Sequence, residues 1–359
     1  MKKLLTISTC LFAAFSLTGQ NVQRLSATKA NDYGLVYTLP ATALDVTVEA
    51  EITVSEPGEF YRYAKKYLNI DNPITKTEKH IGLRSVVLST HGVANPDQRF
   101  LITLKGGQNP FIILDEENNL LAINTEKTAP GHRPELPVSK PATTSILKSD
   151  VARQVVTEDM LMSHSTAKRA ELAAAQIYEI RQTRSDLLTG QADQMPPDGQ
   201  ALKMIMDNLD ARENALMAMF VGAETKQVVV KTVTMVPDGD IAGKIICRLS
   251  AVKGIVEPDD LSGAPVALSL EVINQGELPV NDKGEPLPFP KGGVAYCIPG
   301  AANVSVSFDG KTIEQKRFDF AQFGVVYGMS PSNFTDKKAP VYLILDPATG
   351  AALEVGAAN

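Results

Sequence analysis

Residues 166–190, TAKRAELAAAQIYEIRQTRSDLLTG, decide the fold. Ala170, Ala173, Ala174, Ile177, Ile180, Leu187 and Leu188 recur at intervals of three and four, which gathers them on one face of an α-helix. Residues 199–222, GQALKMIMDNLDARENALMAMFVG, repeat the pattern with Leu202, Ile205, Leu209, Leu216 and Phe220. Gly190 and Gly222 suit the two helix ends, and Pro196-Pro197-Asp198-Gly199 forbids one continuous helix. At a rise of 1.5 Å per residue each arm is about 35 Å long, so the pair is expected to form a long antiparallel helical hairpin.

On either side the period changes to two. Leu44, Val46, Val48 and Ala50 alternate with Asp45, Thr47, Glu49 and Glu51, the pattern of a half-buried strand. Residues 85–89, 100–104, 111–114 and 120–123 are further strands, the last two forming a hairpin, while residues 59–67 read as a short helix. Pro130, Pro134, Pro137 and Pro141 make residues 127–142 an extended crossing. After Gly222, short apolar runs separated by Gly, Pro and Asp turns fill residues 227–345 and predict an antiparallel sandwich or barrel. The fold class is therefore α+β: two antiparallel β regions, sandwich- or barrel-like, joined by the helical hairpin. The divisions are residues 20–145 for an N-terminal β-rich domain, 146–223 for the hairpin and 224–359 for a C-terminal β-sandwich-like domain.

A faint internal echo suggests two related halves. Tyr33-Gly34-Leu35-Val36-Tyr37 matches Phe323-Gly324-Val325-Val326-Tyr327, and Ile112-Ile113-Leu114-Asp115 matches Leu343-Ile344-Leu345-Asp346. Five-residue matches arise easily among strands, so the echo is an expectation to test against topology.

The chain opens with Lys2-Lys3, an apolar run over residues 4–17, and the small residues Ser16, Thr18 and Gly19, the composition of a secretory signal peptide over residues 1–19. That run is too short to span about 30 Å of hydrocarbon, and no transmembrane segment is expected once it is removed. Cys10 lies inside the apolar run, which argues against a lipid anchor there. The expected location is outside the cytoplasm, in the periplasm or associated with the cell envelope.

Without residues 1–19 the chain holds 33 basic and 41 acidic residues, a net charge of about −8. With no basic patch, nucleic acid is excluded as a principal partner. Four histidines and no tryptophan weaken both metal-enzyme and glycan-platform readings. Cys247 and Cys297 are the two cysteines beyond the leader, each in a strand-like run, and form a candidate disulfide in an oxidising compartment.

Candidate chemistry is sparse. Ser163-His164-Ser165 is adjacent in sequence, whereas a catalytic triad converges from distant segments, so Ser163 or Ser165 reads as a helix cap. Asp238-Gly239-Asp240 and Asp259-Asp260 read as turns rather than cation loops, and Lys105-Gly106-Gly107 and Lys291-Gly292-Gly293 lack the order of a phosphate loop. Arg169, Arg181 and Arg184 share their helix with Glu171, Glu179 and Asp186, a solvated face of mixed charge. Met204, Met206, Met217 and Met219 flank the apolar stripe of the second helix and form a candidate partner-contact face, because methionine adapts to varied surfaces.

The segment Ala167-Lys168-Arg169-Ala170-Glu171-Leu172-Ala173-Ala174, leading to Ile177-Tyr178-Glu179-Ile180-Arg181, Leu187-Leu188-Thr189-Gly190 and Pro197-Asp198-Gly199, resembles the DUF4831 family of exported proteins found mainly in Bacteroides and relatives. Gly34 to Pro40 and Phe220-Val221-Gly222 extend the resemblance over nearly all of the chain after residue 19. It brings no activity, cofactor or site residue with it. The expected function is an exported, non-catalytic binding or assembly protein of the bacterial cell envelope, with no cofactor and an envelope protein as partner. The rivals are an envelope hydrolase using His80, His91, His132 or His164 as base, and a glycan-binding module using Tyr61, Tyr63 and Tyr67.

Overall fold

The computed structural model describes residues 34–103, 111–131, 134–336 and 339–358. The expected leader, His132 and the Lys105-Gly106-Gly107 turn lie outside them. Six strands come first: β1 (Gly34–Thr38), β2 (Ala41–Glu56), β3 (Glu78–Val93), β4 (Arg99–Thr103), β5 (Ile112–Leu114) and β6 (Leu120–Ile123), with a short helix α1 (Ala64–Leu68) between β2 and β3. Helices α2 (Asp150–Gln154), α3 (Glu158–Met162), α4 (Thr166–Thr189) and α5 (Gly199–Val221) follow. The chain then returns to strands β7 (Ala223–Met235), β8 (Ile241–Ser250), β9 (Gly254–Val256), β10 (Ala264–Asn274), β11 (Val294–Phe308) and β12 (Lys311–Met329), a short helix α6 (Pro331–Thr335), and the hairpin β13 (Val341–Leu345) and β14 (Ala352–Ala357).

The protein is thus mixed α and β with antiparallel sheets. Strand β2 lies between β3 and β7, and a five-stranded sheet runs β12-β11-β10-β8-β9. These two sheets close on one core, where Leu44, Val46, Val48 and Ala50 of β2 meet Cys247, Val266, Leu268, Val304 and Phe320. The alternation in β2 turns its apolar side chains inward, and the opposite face carries Thr47, whose hydroxyl is 2.8 Å from that of Thr232 on β7. Residues 138–144 run along the outer edge of β7, where Lys140 and Val228 exchange backbone hydrogen bonds of 2.9 and 3.1 Å, so the proline-rich crossing caps a sheet edge.

The division of the strands into separate domains at residues 145 and 224 does not hold. β2 pairs with β7 over its whole register, from Leu44 opposite Met235 to Glu56 opposite Ala223. The helices are an excursion between two strands of one sheet. A second β core joins the two ends of the chain in the same way, gathering Tyr37, Leu39, Phe100, Leu120 and Ile123 with Val294, Leu343 and Leu345.

Topology also locates the internal repeat. β1, the β2–β3 hairpin, β4 and the β5–β6 hairpin have counterparts in the first half of β11, the β11–β12 hairpin, the last part of β12 and the β13–β14 hairpin. The bend at Leu39-Pro40 separates β1 from β2, and β11 carries a bulge between Ile298 and Gly300, around Pro299. Thr38 donates its N–H to Asn118 over 2.8 Å, and Cys297 donates its N–H to Gly350 over 2.8 Å. The hairpin turns match as well: Asp115 N–H donates to Asn119 over 3.0 Å, and Asp346 N–H to Ala351 over 2.8 Å. The echo between residues 112–115 and 343–346 is therefore structural. The other is misaligned, because the counterpart of Tyr37 is Tyr296, whereas Tyr327 corresponds to Phe100.

Candidate functional site

Two places are candidates for contact with other molecules: the helix pair, and a pocket where the two repeated units meet. In the helix pair, Ser165 Oγ accepts from Lys168 N–H and Asp198 Oδ1 from Ala201 N–H, so each long helix starts on a side-chain cap. Gly190 ends α4 at φ +72°. The histidine beside Ser165 is exposed, in keeping with the cap reading of that triplet.

α4 and α5 run antiparallel, as their ion pairs show. Arg181 Nε donates to Glu213 Oε1 over 2.7 Å, while Arg184, one turn further along α4, reaches Glu213 at 2.6 Å and also pairs with Asp210, one turn earlier on α5. Burial alone raises the pKa of Glu213, but the hydrogen bonds from Arg181 and Arg184 outweigh it and hold the carboxyl below its ordinary range. Arg169 pairs with Glu59 at 2.7 Å. The three arginines therefore tie α4 to α5 and to the β2–β3 connection, which corrects the reading of them as a solvated row. Local spacing along one helix could not reveal partners that lie on another element.

The packing of the pair is uneven along its length. At the end nearest β7, Phe60, Ala170, Ala173, Ala174, Ile177, Leu216, Met219 and Phe220 form a core, and Phe60 N–H donates to Met219 O over 2.7 Å. The small alanines let the backbones approach, and the Phe60 and Phe220 rings, 5.4 Å apart, fill the remaining space. At the far end apolar side chains lie open: Leu188 is 66% exposed, Met195 50%, Met204 73% and Ile205 40%.

The predicted methionine face divides accordingly. Met219 is buried, and Met217 packs against the helical core with its sulfur 3.6 Å from an Arg181 nitrogen. Met206 is half-buried and Met204 is open. Leu188 and Met195, which the sequence reading did not assign to this face, join Met204 at the tip. Leu188, grouped by spacing with the buried face of the first helix, is open instead, while its neighbour Leu187 is buried, and Met195 lies in the connecting loop.

The candidate disulfide is ruled out by register. Cys247 lies opposite Val266 on β10, and Val266 lies opposite Phe308 on β11. Cys297 is eleven residues further along β11, on the order of 35 Å away, and β10 intervenes. Both cysteines are buried free thiols. Burial, with smaller contributions from neighbouring charges, pushes the Cys247 thiol up to about 11 and that of Cys297 up to about 12.

Among the described residues, those of the rival readings do not assemble a site. His80 and His91 lie on β3 and His164 before α4, all exposed. His91 Nδ1 is 2.6 Å from Asp45 Oδ2, while Asp45 Oδ1 accepts from the Thr234 hydroxyl, which leaves that hydroxyl on the carboxylate rather than on the imidazole. Tyr63 and Tyr67 pack their rings against the helical core, and Tyr178 Oη donates to Tyr67 O over 2.8 Å, so they brace α4 instead of forming an open platform. Asp240 accepts from Val272 N–H, and Asp260 pairs with Lys253 at 2.7 Å and accepts from Ser262 N–H. These are turn contacts. Among the described residues no group of three His, Cys, Asp or Glu side chains has metal-binding proximity, and no helix is long and apolar enough to cross a membrane.

The pocket has a volume of about 260 Å³ and is lined by Leu39, Pro40, Asn95, Gln98, Cys297 and Gln322, closed by Ala321 and residues 324–326. Residues 94–98 connect β3 to β4, and residues 321–325 make the corresponding passage within β12. Asn95 and Gln322 are thus matched amides on matched connections.

A family profile described as "Domain of unknown function (DUF4831)" matches residues 33–353. No curated protein and no solved structure matches the chain.

Proposed function

The chain belongs to the DUF4831 family, and from that premise we propose that it is an exported, non-catalytic binding or assembly protein of the bacterial cell envelope. In this reading the two long helices form a hairpin arm carried on a sandwich-like β body, and the arm's tip is the surface that meets an envelope protein. The observation that carries the proposal is the open apolar tip of Leu188, Met195, Met204 and Ile205 at the end of a helix pair whose base is firmly packed. Apolar side chains clustered at an exposed end favour contact with a partner, and methionine lets one surface fit several shapes. The leader-like composition of residues 1–19 supports export. The net charge after the leader supports a protein partner over nucleic acid or an anionic lipid surface.

The test is chemical cross-linking of the tagged protein in its native cells, followed by purification and mass spectrometry. It is compared with a Leu188→Glu/Met204→Glu variant, which alters only side chains already open to solvent, and with a deletion of residues 165–221. A specific envelope protein that is captured by the wild type and lost with the double variant supports the proposal, provided that the variant keeps the wild-type circular dichroism. Capture that survives both changes places the contact elsewhere, and the absence of any specific partner refutes the assembly role. Fractionation of the same cells tests export: the chain in the cytoplasm at full precursor mass overturns that part.

A further inference from the structure

We propose that the protein assembles head to tail with further copies of itself, the outer edge of β14 in one copy adding to the outer edge of β5 in the next. The same junction already exists inside the molecule. The four-stranded sheet runs β14-β13-β6-β5, so the two repeated hairpins lie side by side. β6, the second strand of the first hairpin, pairs with β13, the first strand of the second, through Ile123 opposite Leu343 and Ala122 opposite Ile344. The hairpins are thus joined in series. At one end of the sheet β14, the counterpart of β6, lacks a β13-like neighbour, and at the other end β5, the counterpart of β13, lacks a β6-like one. A heterologous contact of this kind repeats from copy to copy, closing as a ring or running on as a filament according to its rotation. The inference does not depend on the role of the helical arm.

The repeat also supplies the register. In the first hairpin Ile112, Ile113 and Leu114 lie opposite Ile123, Ala122 and Leu120, and in the second Leu343, Ile344 and Leu345 lie opposite Val355, Glu354 and Ala352. Ile112 therefore corresponds to Leu343 and Val355 to Ile123, which sets Ile112 of one copy opposite Val355 of the next. Each hairpin has one extra residue in its second strand, Leu121 or Leu353. A bulge usually spoils an edge for pairing, yet β6 pairs with β13 in spite of its own, so the matching bulge in β14 is no obstacle. Val355, Leu343, Ile123 and Ile112 already stand in one row across the sheet, and the new contact carries that apolar row into the next copy. Glu354 alternates to the opposite face, where it accepts from the Tyr342 hydroxyl.

Burial separates the used edges from the unused ones. Leu343, Leu345 and Ile123 at the internal junction are buried, whereas their counterparts Ile112 and Leu114 are half-buried and Val355 is 50% exposed. Phe111 beside β5 is 53% exposed and Leu353 on β14 57%. Edges that face water are normally blunted by charges or proline, but these two present mainly apolar side chains. Among the described residues no strand pairs with the outer side of β5 or β14. Joining them covers the apolar side chains and pairs the free backbone groups at once.

The test is sedimentation velocity on the chain after residue 19, at concentrations up to about 1 mM because the edges are short and the contact is weak. The mean mass of the wild type should at least double over a rise in concentration of about a hundred-fold. Phe111→Lys blocks the β5 edge and Val355→Lys the β14 edge, both at side chains already open to water. Each variant alone should stay monomeric, and an equal mixture should form dimers and stop there, because each retains the edge that the other has lost. A wild type that is monomeric throughout, growth that survives both substitutions, or a mixture that stays monomeric overturns the proposal. So does a single variant that dimerises by itself, which would show like edges pairing with like. An Ile112→Cys/Val355→Cys variant gives a second readout that needs no added charge. Within one chain these positions are three strand spacings apart, about 14 Å, too far to bridge, so oxidation should yield a ladder of linked chains on a non-reducing gel. Absence of the ladder overturns the proposal even where the lysine variants lose their fold.

Discussion

The first repeated unit, residues 34–123, and the second, residues 293–355, solve the same bending problem with different side chains. In the first, Leu39-Pro40 ends one strand and starts another. In the second, β11 runs through Pro299 and absorbs the bend as a bulge. Proline is common to both because it has no N–H to donate where the ladder breaks. What differs is the surrounding packing. The second unit is also pressed against the chain that follows β10, where Gly276 N–H donates to Phe323 O, while both units line the pocket. Shared residues at matched positions mark what the bend requires, and unshared ones mark what each unit has been given to do.

The sharpest way to break the comparison is at Gly324 and its counterpart Asp97. A Cβ at Gly324 would lie 2.2 Å from Ile298 O and 2.7 Å from Pro299 Cα, contacts with backbone that cannot swing aside. Gly324→Ala is expected to cost about 3 kcal/mol through overpacking. Asp97 is exposed and no contact ties down its carboxylate, so Asp97→Ala should stay within about 0.5 kcal/mol. Urea unfolding of both variants checks this, and equal losses would show that the two connections are packed alike, which removes the contrast between the units.

Next in size is the pair of tyrosines. Tyr37 Oη donates to Ala295 O at 3.2 Å and accepts from Ala295 N–H at 2.7 Å, so the first unit completes an edge of β11 in the second. Tyr296, its counterpart, is half-buried and meets the Tyr327 ring edge-on at 6.2 Å, with no reciprocal tie to the first unit. Tyr37→Phe should therefore cost about 1–3 kcal/mol, because Ala295 is fully buried and loses both partners. Tyr296→Phe should stay within about 0.5 kcal/mol by the same measurement.

That asymmetry also explains what the sequence could disclose. The long helices were legible because their causes are local: Ala170 to Ile180 repeat at helical spacing, and Ser165, Asp198 and Gly190 mark the ends. Strand existence was legible in β2 for a similar reason. Strand partnership was not, since the alternation in Leu44 to Ala50 would suit any neighbour, and its actual neighbour β7 begins at Ala223 on the far side of the helices. The echo failed at Tyr33–Tyr37 for the same cause: Gly followed by two apolar residues and Tyr fits either strand of a pair equally well. The pocket left no motif at all, because Asn95, Gln98 and Gln322 gain meaning only when two bends meet.

A smaller effect separates Cys297 from its counterpart Thr38. In the unfolded chain a thiol ionises near its ordinary value of about 8.5, whereas burial holds Cys297 protonated up to about 12. Above about pH 8.5 the unfolded state thus binds fewer protons than the folded state, and stability falls as pH rises towards 12. Cys297→Thr, which installs the first unit's residue, removes this contribution. At a pH of about 9.5 the wild type should have lost about 1 kcal/mol more than the variant, relative to pH 7, in denaturant melts under reducing conditions. Parallel pH profiles for the two proteins would mean that Cys297 is open to solvent in the folded state.

The smallest expected effect lies in the hairpin turns, where the two units agree in backbone and differ in residue. Asn118 has φ +66° and its counterpart Gly350 φ +70°. Glycine adopts that conformation without strain, and asparagine is the side chain that tolerates it best. Asn118→Gly relieves the residual strain of a Cβ at positive φ but widens the unfolded ensemble, and the two terms oppose each other. The net change should lie within about 0.5 kcal/mol, with the Thr38 N–H still bonded to the carbonyl of residue 118. A larger loss would mean that the Asn118 side chain holds the turn in a way that Gly350 has no means to match, and the likeness of the hairpins would then extend only to the path of the backbone.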